Sequence, residues 1–268
     1  MFVTFLSDFG LQDDFVGTCH GVIKSIAPQV EIIDVTHGIP PQQVLQGALV
    51  LANTTRYMPV GVHLAVVDPG VGSSRRALAL RSGDGRLFVG PDNGLLVPAA
   101  DRLGGVDAVH ELANAEYALE SVSRTFHGRD LFAPAAAHLA SGVGLELLGP
   151  PLAADALARL DLPEPEVGTS RLRSTVLAID RFGNIQLNVD RSHLEAAGIL
   201  PGTRVELQVG PERYFAVAAR TFADARPGDL ILYEDSYRNL SIAINGGNAA
   251  AMFNIKPGRD VRIHFEPA

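Results

Sequence analysis

Apolar positions along the first 150 residues alternate between two periods. Phe2-Val-Thr-Phe-Leu6 is a β-prone run that ends in Ser7-Asp8-Phe9-Gly10, which reads as a buried parallel strand with polar residues at its carboxyl end. Asp14 to Ile26 then places Phe15, Val16, Cys19, Val22, Ile23 and Ile26 at helical spacing. Glu31–Val35 predicts a second strand, Gln42–Arg56 a helix with a wide apolar stripe, and Val62–Val67 a third strand running into Asp68-Pro-Gly-Val-Gly72. Ala77–Leu80 and Leu87–Val89 predict short strands about a glycine-rich turn. Leu131–Leu139 predicts a short helix that tolerates Pro134 only in its first turn. Strands alternating with helices argue for an α/β sandwich with a mainly parallel sheet. In such sheets ligands bind outside the carboxyl ends of the strands, which is where Asp8 and Asp68 fall.

Beyond about residue 150 the texture changes. Gly149-Pro-Pro151 and Leu162-Pro-Glu-Pro-Glu-Val-Gly168 read as linker. Short strands follow at Ser174–Asp180, Ile185–Val189, Arg204–Val209, Tyr214–Ala218, Leu230–Tyr233, Ser241–Ile244 and Val261–Phe265, with helical stretches only near His193–Ala197 and Asn248–Phe253. This pattern predicts a small antiparallel β-barrel. The expected organisation is an N-terminal α/β domain over 1–160 and a C-terminal barrel over 170–268.

Composition narrows the function classes. The chain has 268 residues, 47% of them hydrophobic, and a net charge of −8, with a pI near 5.4. No basic face for nucleic acid is evident. The single cysteine, Cys19, excludes an intrachain disulfide. The N-terminus lacks the charged and apolar regions of a signal peptide, and no apolar run is long enough to span a bilayer. A soluble cytoplasmic protein is expected.

Polar clusters sit where the predicted strands and loops end: Ser7–Gly10 with Asp13 and Asp14, Asp68–Gly72 with Arg75, Gly90–Gly94, Phe126–Asp130, and Asp180–Asn184. Taken singly, each has an ordinary reading. Asp8 can cap the following segment. Asp68-Pro-Gly and Asp92-Asn-Gly suit turns, and Arg75 with Arg76 reads as a solvated pair. Asp13 and Asp14 suit the first turn of a helix. Asp8, Asp13, Asp14, His37, Asp68 and His127 are metal-ligand types, but no His-Glu-x-x-His, cysteine-pair or EF-hand spacing occurs; no metal is expected, and a site of carboxylates and histidines alone is the lesser alternative.

Together the motifs resemble one family. Thr4-Phe-Leu-Ser-Asp-Phe-Gly10, Ile33-Asp-Val-Thr-His-Gly-Ile39, Val66-Val-Asp-Pro-Gly-Val-Gly72, Phe88-Val-Gly-Pro-Asp-Asn-Gly94, Thr125-Phe-His-Gly-Arg-Asp130, Ile179-Asp-Arg-Phe-Gly-Asn184 and Leu240-Ser-Ile-Ala-Ile-Asn245 run in order over nearly the whole chain. They are similar to the S-adenosylmethionine hydrolase family, also called SAM hydroxide adenosyltransferase, which is related to fluorinase and chlorinase. The resemblance implies hydrolysis of S-adenosyl-L-methionine to adenosine and L-methionine with no cofactor. It also implies a homotrimer whose active sites lie between the N-terminal domain of one subunit and the barrel of its neighbour.

The catalytic set it implies is Asp68, Arg75 and His127. Asp8 would hold the ribose hydroxyls and Phe126 would line the pocket near the reacting carbon. Asp180, Phe182 and Asn184 would hold the methionine portion, Ser236 its carboxylate, and Ile244 would approach adenine. The chain departs from the halogenating relatives. Gly128 stands where they place a halide-binding serine, Asp68 and Val71 replace their tyrosine and threonine, and their extra loop is missing. A metal-dependent nucleotide phosphatase and a non-catalytic adenosine or S-adenosylmethionine binding protein are the rival readings. The absence of a phosphate-cradling loop with lysine counts against the first.

Overall fold

The computed structural model describes residues 1–161 and 163–266. Residue 162, in the second predicted linker, and residues 267–268, in the predicted barrel domain, lie outside the described residues. The chain divides into two compact units, Met1–Leu160 and Asp161–Ala268.

The first unit follows the predicted alternation. Strands β1 (Phe2–Ser7), β2 (Glu31–Thr36) and β3 (Val62–Val66) alternate with helices α1 (Phe15–Ile26) and α2 (Val44–Thr55). After them come β4 (Ala77–Ser82), β5 (Leu87–Pro91), α3 (Val97–Asp101), β6 (Val106–Glu111) and α4 (Ala133–Ala140). The sheet order is β2-β1-β3-β5-β4-β6. The pairs β1–β2, β1–β3 and β3–β5 are parallel, while β4 runs antiparallel to both β5 and β6. Period-two alternation feeds both faces of this sheet. Val3, Phe5, Leu64, Val66 and Val89 join a cluster with Val16, Cys19 and Ile23 of α1 and the alanines of α4. Leu6, Ala65, Leu78, Leu80 and Phe88 join a second cluster with Ala48, Leu51 and Ala52 of α2. The result is the expected α/β sandwich with a mainly parallel sheet.

Two elements escape the sequence pattern for physical reasons. α3 is only five residues long with a proline at its start, too short to show a 3.6-residue period. Among the strands β6 pairs only with β4, at the end of the sheet order, and its Val-Asp-Ala-Val-His-Glu sequence carries no continuous apolar run. Gly149-Pro-Pro151 is not a free linker. Pro150 O accepts from Glu111 N at 3.0 Å, His110 Nδ1 meets Gly149 O at 2.8 Å, and Pro151 bridges His110.

The second unit is a closed barrel. Its strands are β7 (Glu166–Val167), β8 (Arg171–Ile179), β9 (Ile185–Asp190), β10 (Arg204–Val209), β11 (Glu212–Ala218), β12 (Leu230–Glu234), β13 (Asn239–Ile244) and β14 (Asp260–His264). The order β14-β10-β11-β12-β13-β9-β8-β7 closes through a β14–β8 pairing, so β8 to β14 form the barrel and β7 lies outside it, paired only with β8. All pairs are antiparallel except β11–β12, whose parallel pairing follows from the long connection through residues 219–229. Leu187, Val189, Leu207, Leu232, Ile242 and Ile263 fill the interior. Short helices α5 (Arg191–Ala197) and α6 (Ala249–Phe253) fall where the sequence predicts them. Among the described residues no helix is long and apolar enough to cross a membrane.

Candidate active site

Asp68 follows the fully buried strand β3, and the turn after it brings Arg75 back onto its carboxylate. Val71 N donates to Asp68 O at 3.2 Å, and Ser73 Oγ donates to Gly70 O at 2.6 Å. Gly72 has φ +78°, and a Cβ there would stand 2.5 Å from Arg124 O, so this turn and the segment before His127 approach as closely as backbone allows. Arg75 Nε donates to Asp68 Oδ1 at 2.9 Å and to Oδ2 at 3.1 Å, and a guanidinium Nη2 also bonds Oδ2. The same Nη2 reaches His127 Nδ1 at 2.8 Å. Asp68, Arg75 and His127 thus form one hydrogen-bonded chain, with side-chain exposures of 6% for Asp68 and 10% for Arg75. Arg75 is no solvated partner of Arg76, which instead binds Asp92 Oδ2 through Nε at 2.8 Å.

The tautomer of His127 follows from this contact. A guanidinium has only donors, so Nδ1 must accept, and the neutral ring carries its proton on Nε2. Burial, and after it the Arg75 charge, pushes the His127 pKa below its ordinary value, against a smaller opposing pull from Asp68 and Asp130. At neutral pH the ring therefore presents an Nε2–H donor.

His127 opens a π-helical turn over Gly128–Phe132 that leads into α4. Such turns aim side chains away from a regular helical lattice. Asp130, fully buried within it, fixes the preceding loop: its carboxylate accepts from Ser123 N at 2.7 Å and from Arg129 Nε at 2.5 Å, and its carbonyl accepts from Leu119 N at 2.9 Å. Gly128 leaves room for aromatic rings, since a Cβ there would lie 2.9 Å from Phe9 Cζ and 3.4 Å from Phe126 Cε2. Phe126 meets Phe9 at 5.8 Å and Phe15 at 5.1 Å between ring centroids, both edge-on, making an aromatic wall.

Asp8 follows β1. Its Oδ2 accepts from Gln42 N at 2.8 Å, so it caps no helix; α1 begins after Asp14. Asp13 and Asp14 accordingly precede the first turn of α1 and do not lie within it. Burial raises the Asp8 pKa, opposed by backbone hydrogen bonds and reinforced slightly by the Asp68 charge. That coupling puts Asp8 in the same electrostatic neighbourhood as Asp68.

In the barrel unit, Asp180, Phe182 and Asn184 share the β8–β9 turn. Asp180 Oδ1 accepts from Phe182 N and Asn184 N at 2.9 Å each, and Oδ2 accepts from Asn184 Nδ2 at 2.7 Å. Phe182 is 66% exposed. Ser236 stands exposed on the β12–β13 turn, which Asp235 organises by accepting from Tyr237 N at 2.8 Å and Asn239 N at 3.0 Å. Ile244 ends β13, and its carbonyl accepts from Gly247 N at 3.0 Å. The sequence reading did not single out Tyr233. Burial, then the charges of Asp180 and Asp235, push its phenol up to about 12, which links the two turns electrostatically. The signal lay in its position two residues before Asp235, on a strand whose flanking residues Leu232 and Leu230 face the core.

A second polar cluster in the first unit also escaped the sequence reading, apart from His37. His20, Asp34 and His37 converge from α1, β2 and the loop after β2, with Asp34 Oδ1 2.9 Å from His20 Nε2 and 3.0 Å from His37 Nε2.

Comparison with known proteins gives a consistent result over the whole chain. Residues 3–149 match the SAM hydroxide adenosyltransferase N-terminal domain, and residues 174–262 match the C-terminal domain. A protein of Salinispora arenicola named (R)-S-adenosyl-L-methionine hydrolase is 48% identical over 261 residues, covering 97% of each chain. A fluorinase of Actinopolyspora mzabensis is 32% identical, covering 97% of this chain and 96% of the fluorinase. Among solved structures, an uncharacterized conserved protein from Thermotoga maritima superposes with a TM-score of 0.91 at 36% identity, covering 97% of this chain and 99% of that one. This chain belongs to the SAM hydroxide adenosyltransferase family.

Proposed function

We propose that the chain hydrolyses S-adenosyl-L-methionine to adenosine and L-methionine by in-line attack of water or hydroxide at the ribose 5′ carbon. The observation that carries this reading is the Asp68–Arg75–His127 hydrogen-bonded chain, a built device for holding water beside a carboxylate. The substrate is a sulfonium, so methionine leaves as a neutral thioether and needs no acid. The task left to the protein is to activate water. His127 accepts from Arg75 through Nδ1 and so fixes the guanidinium that, with the Asp68 carboxylate, holds the water. Arg75 stabilises the developing hydroxide without changing its own protonation. Asp68 is the anion of the set and takes the proton, directly or on its way to solvent. The new bond joins the water oxygen to C5′, the C5′–S bond breaks with its electron pair going to sulfur, and one proton is released. Alignment in a pocket shielded from bulk water supplies several kcal/mol in such reactions.

Asp8 keeps Oδ2 on Gln42 and offers Oδ1 to the ribose hydroxyls. Phe126 walls the reacting carbon. Asp180, Asn184, Phe182 and Ser236 take the methionine portion, and Ile244 approaches adenine. No cofactor enters the reaction. A halide nucleophile suits this pocket poorly, because Gly128 supplies no hydroxyl and the Asp68 carboxylate repels an anion. The family assembly we propose is a homotrimer in which a second copy supplies the barrel residues.

The decisive experiment incubates chelator-treated protein with the R and S sulfonium epimers of S-adenosyl-L-methionine, with and without chloride, and separates the products. Adenosine plus methionine, independent of chloride and chelator, is the expected result, with the R epimer consumed as in the relatives named (R)-S-adenosyl-L-methionine hydrolase. Intact substrate under all conditions overturns the hydrolase in favour of a binding protein. Phosphate release from a nucleotide that chelator abolishes would favour the phosphatase instead.

A further inference from the structure

The His20–Asp34–His37 cluster shares no side chain with Asp68, Arg75 or His127, and the proposed reaction makes no use of it. We propose that these three residues form a binding site for a single divalent transition-metal ion of the zinc class, acting as a staple beneath the loop that carries Asp8.

The donor set is two imidazole nitrogens and one carboxylate oxygen, the combination that borderline divalent ions prefer and that leaves one position for water. The ligand atoms lie within 4.8 Å of one another. Ligands at about 2.0–2.1 Å around a tetrahedral ion stand roughly 3.3 Å apart. The observed separations from Asp34 Oδ1, 2.9 Å to His20 Nε2 and 3.0 Å to His37 Nε2, therefore need to open by only a few tenths of an ångström.

His37 gives an independent indication. Its side chain is only 3% exposed, and its Nε2 is buried with no hydrogen-bond partner despite facing Asp34, because the approach lacks hydrogen-bond geometry. A buried ring nitrogen without a partner is costly unless something else satisfies it. Its other nitrogen is already held: Ser7 Oγ lies 2.7 Å from Nδ1. That is the outer contact that orients a metal-binding imidazole. The site also has an entry path, since the side chains of His20 and Asp34 are 31% and 41% exposed.

The consequence of filling this site is mechanical. His37 O accepts from Gly10 N at 2.8 Å, and Ser7 Oγ, on the His37 ring, accepts from Phe9 N at 3.3 Å, so His37 is tied through its backbone after Asp8 and through its ring to Ser7 before it. An ion joining His20 of α1 to Asp34 and His37 would lock α1, the end of β2 and this loop together.

The test uses the full chain stripped with chelator and titrated by calorimetry with Zn²⁺ alone, then with Co²⁺ followed by visible absorption. One ion per chain is expected, with the intensified bands of four-coordinate cobalt and a Tm that rises with Zn²⁺. His20→Gln, at a half-exposed helix position that should leave folding intact, should lose affinity about tenfold or more, as should Asp34→Asn. His193→Gln, a surface histidine of the barrel, should bind like the unaltered protein. Absence of saturable one-to-one binding, or equal binding by His20→Gln, overturns the proposal and leaves the cluster as a proton-held ion pair. Because the staple is not part of the chemistry, chelated protein should still turn over, so failure of the metal site and failure of the hydrolase reading give different results.

Discussion

The polar residues of the α/β unit and those of the barrel differ in how they are held. Asp68, Arg75 and His127 are joined to one another across 7 and 52 residues of chain, and the carboxylate and guanidinium are almost wholly shielded. Asp180, Phe182, Asn184 and Ser236 lie on two hairpin turns, and the hydrogen bonds of Asp180 and Asn184 close their own turn. The first group is organised before any ligand arrives. The second presents side chains that are exposed, or in Asn184 half-buried, and whose local order comes from turn chemistry. Preorganised donors aimed at developing charge carry catalysis, whereas exposed aromatic and polar side chains carry binding. The contrast therefore predicts that changes in the first unit act on turnover and changes in the barrel on affinity.

Arg75→Ala should give the largest effect. It removes the link between Asp68 and His127 and leaves a shielded carboxylate without its cation. Turnover should fall about 10²-fold or more, equivalent to about 2.7 kcal/mol in the barrier. Arg75→Lys should recover little, because a point charge cannot fork between a carboxylate and an imidazole. Single-turnover rates with saturating enzyme in excess over substrate are the measurement, and a near-normal rate in Arg75→Ala would remove this chain of residues from the mechanism.

Asp130→Ala and Asp180→Ala make the same chemical change in the two units. Loss of the Asp130 carboxylate leaves Ser123 N–H without its acceptor, and should cost about 1–3 kcal/mol of stability in urea unfolding. Asp180 is exposed, and water can replace its contacts to the turn, so its removal should cost under about 1 kcal/mol. Equal losses would mean that the barrel turn is as tightly built as the loop before His127.

How much of this was legible in the sequence divides along the same line. The strands and helices from β1 to β3 follow directly from apolar periods, because buried parallel strands and amphipathic helices both write their packing into local sequence. α3 and β6 were not legible, being too short or too polar to carry a period. Asp8 and Asp68 could be placed at strand ends, but nothing local ties Asp68 to Arg75 or either to His127; only the ordered match to a family joins them. Arg75 even reads locally as a solvated neighbour of Arg76. The His20–Asp34–His37 cluster was hidden for the same reason, since its three members sit on three elements and meet only after folding. In the barrel, Asp180-Arg-Phe-Gly-Asn184 was legible as a turn, whereas the position of Tyr233 near Asp180 and Asp235 depends on strand pairing across the sheet.

Phe182→Ala should act on affinity alone. The ring is largely exposed and supports no core cluster, so unfolding should shift by no more than about 0.5 kcal/mol. If the ring packs on the methionine portion, KM should rise about tenfold or less while kcat stays within about twofold. A matching fall in kcat would place Phe182 among the groups that act only in the transition state and would blur the division between the two units.

The smallest expected effect is one that a histidine of ordinary pKa would show and His127 should not. Burial and the Arg75 charge lower its pKa, so the ring stays neutral as pH falls through the usual histidine range near 6.5. Protonation would put a second cation against Arg75 and remove the Nδ1 lone pair that accepts from it, so the folded site resists protonation and the unfolded chain does not. The sign follows: the contribution of this group to stability is present above the ordinary histidine pKa and is lost as pH falls through the lowered one. The logarithm of kcat/KM against pH should therefore run flat through the mid-sixes and break only on the more acidic side. His127→Gln should remove the His127 part of that acidic break while lowering the plateau, leaving the part set by the raised pKa of Asp8. A break near 6.5 in the unaltered protein would mean that His127 is freely solvated during the reaction, and that the hydrogen-bonded chain from Asp68 through Arg75 to His127 opens before water attacks the 5′ carbon.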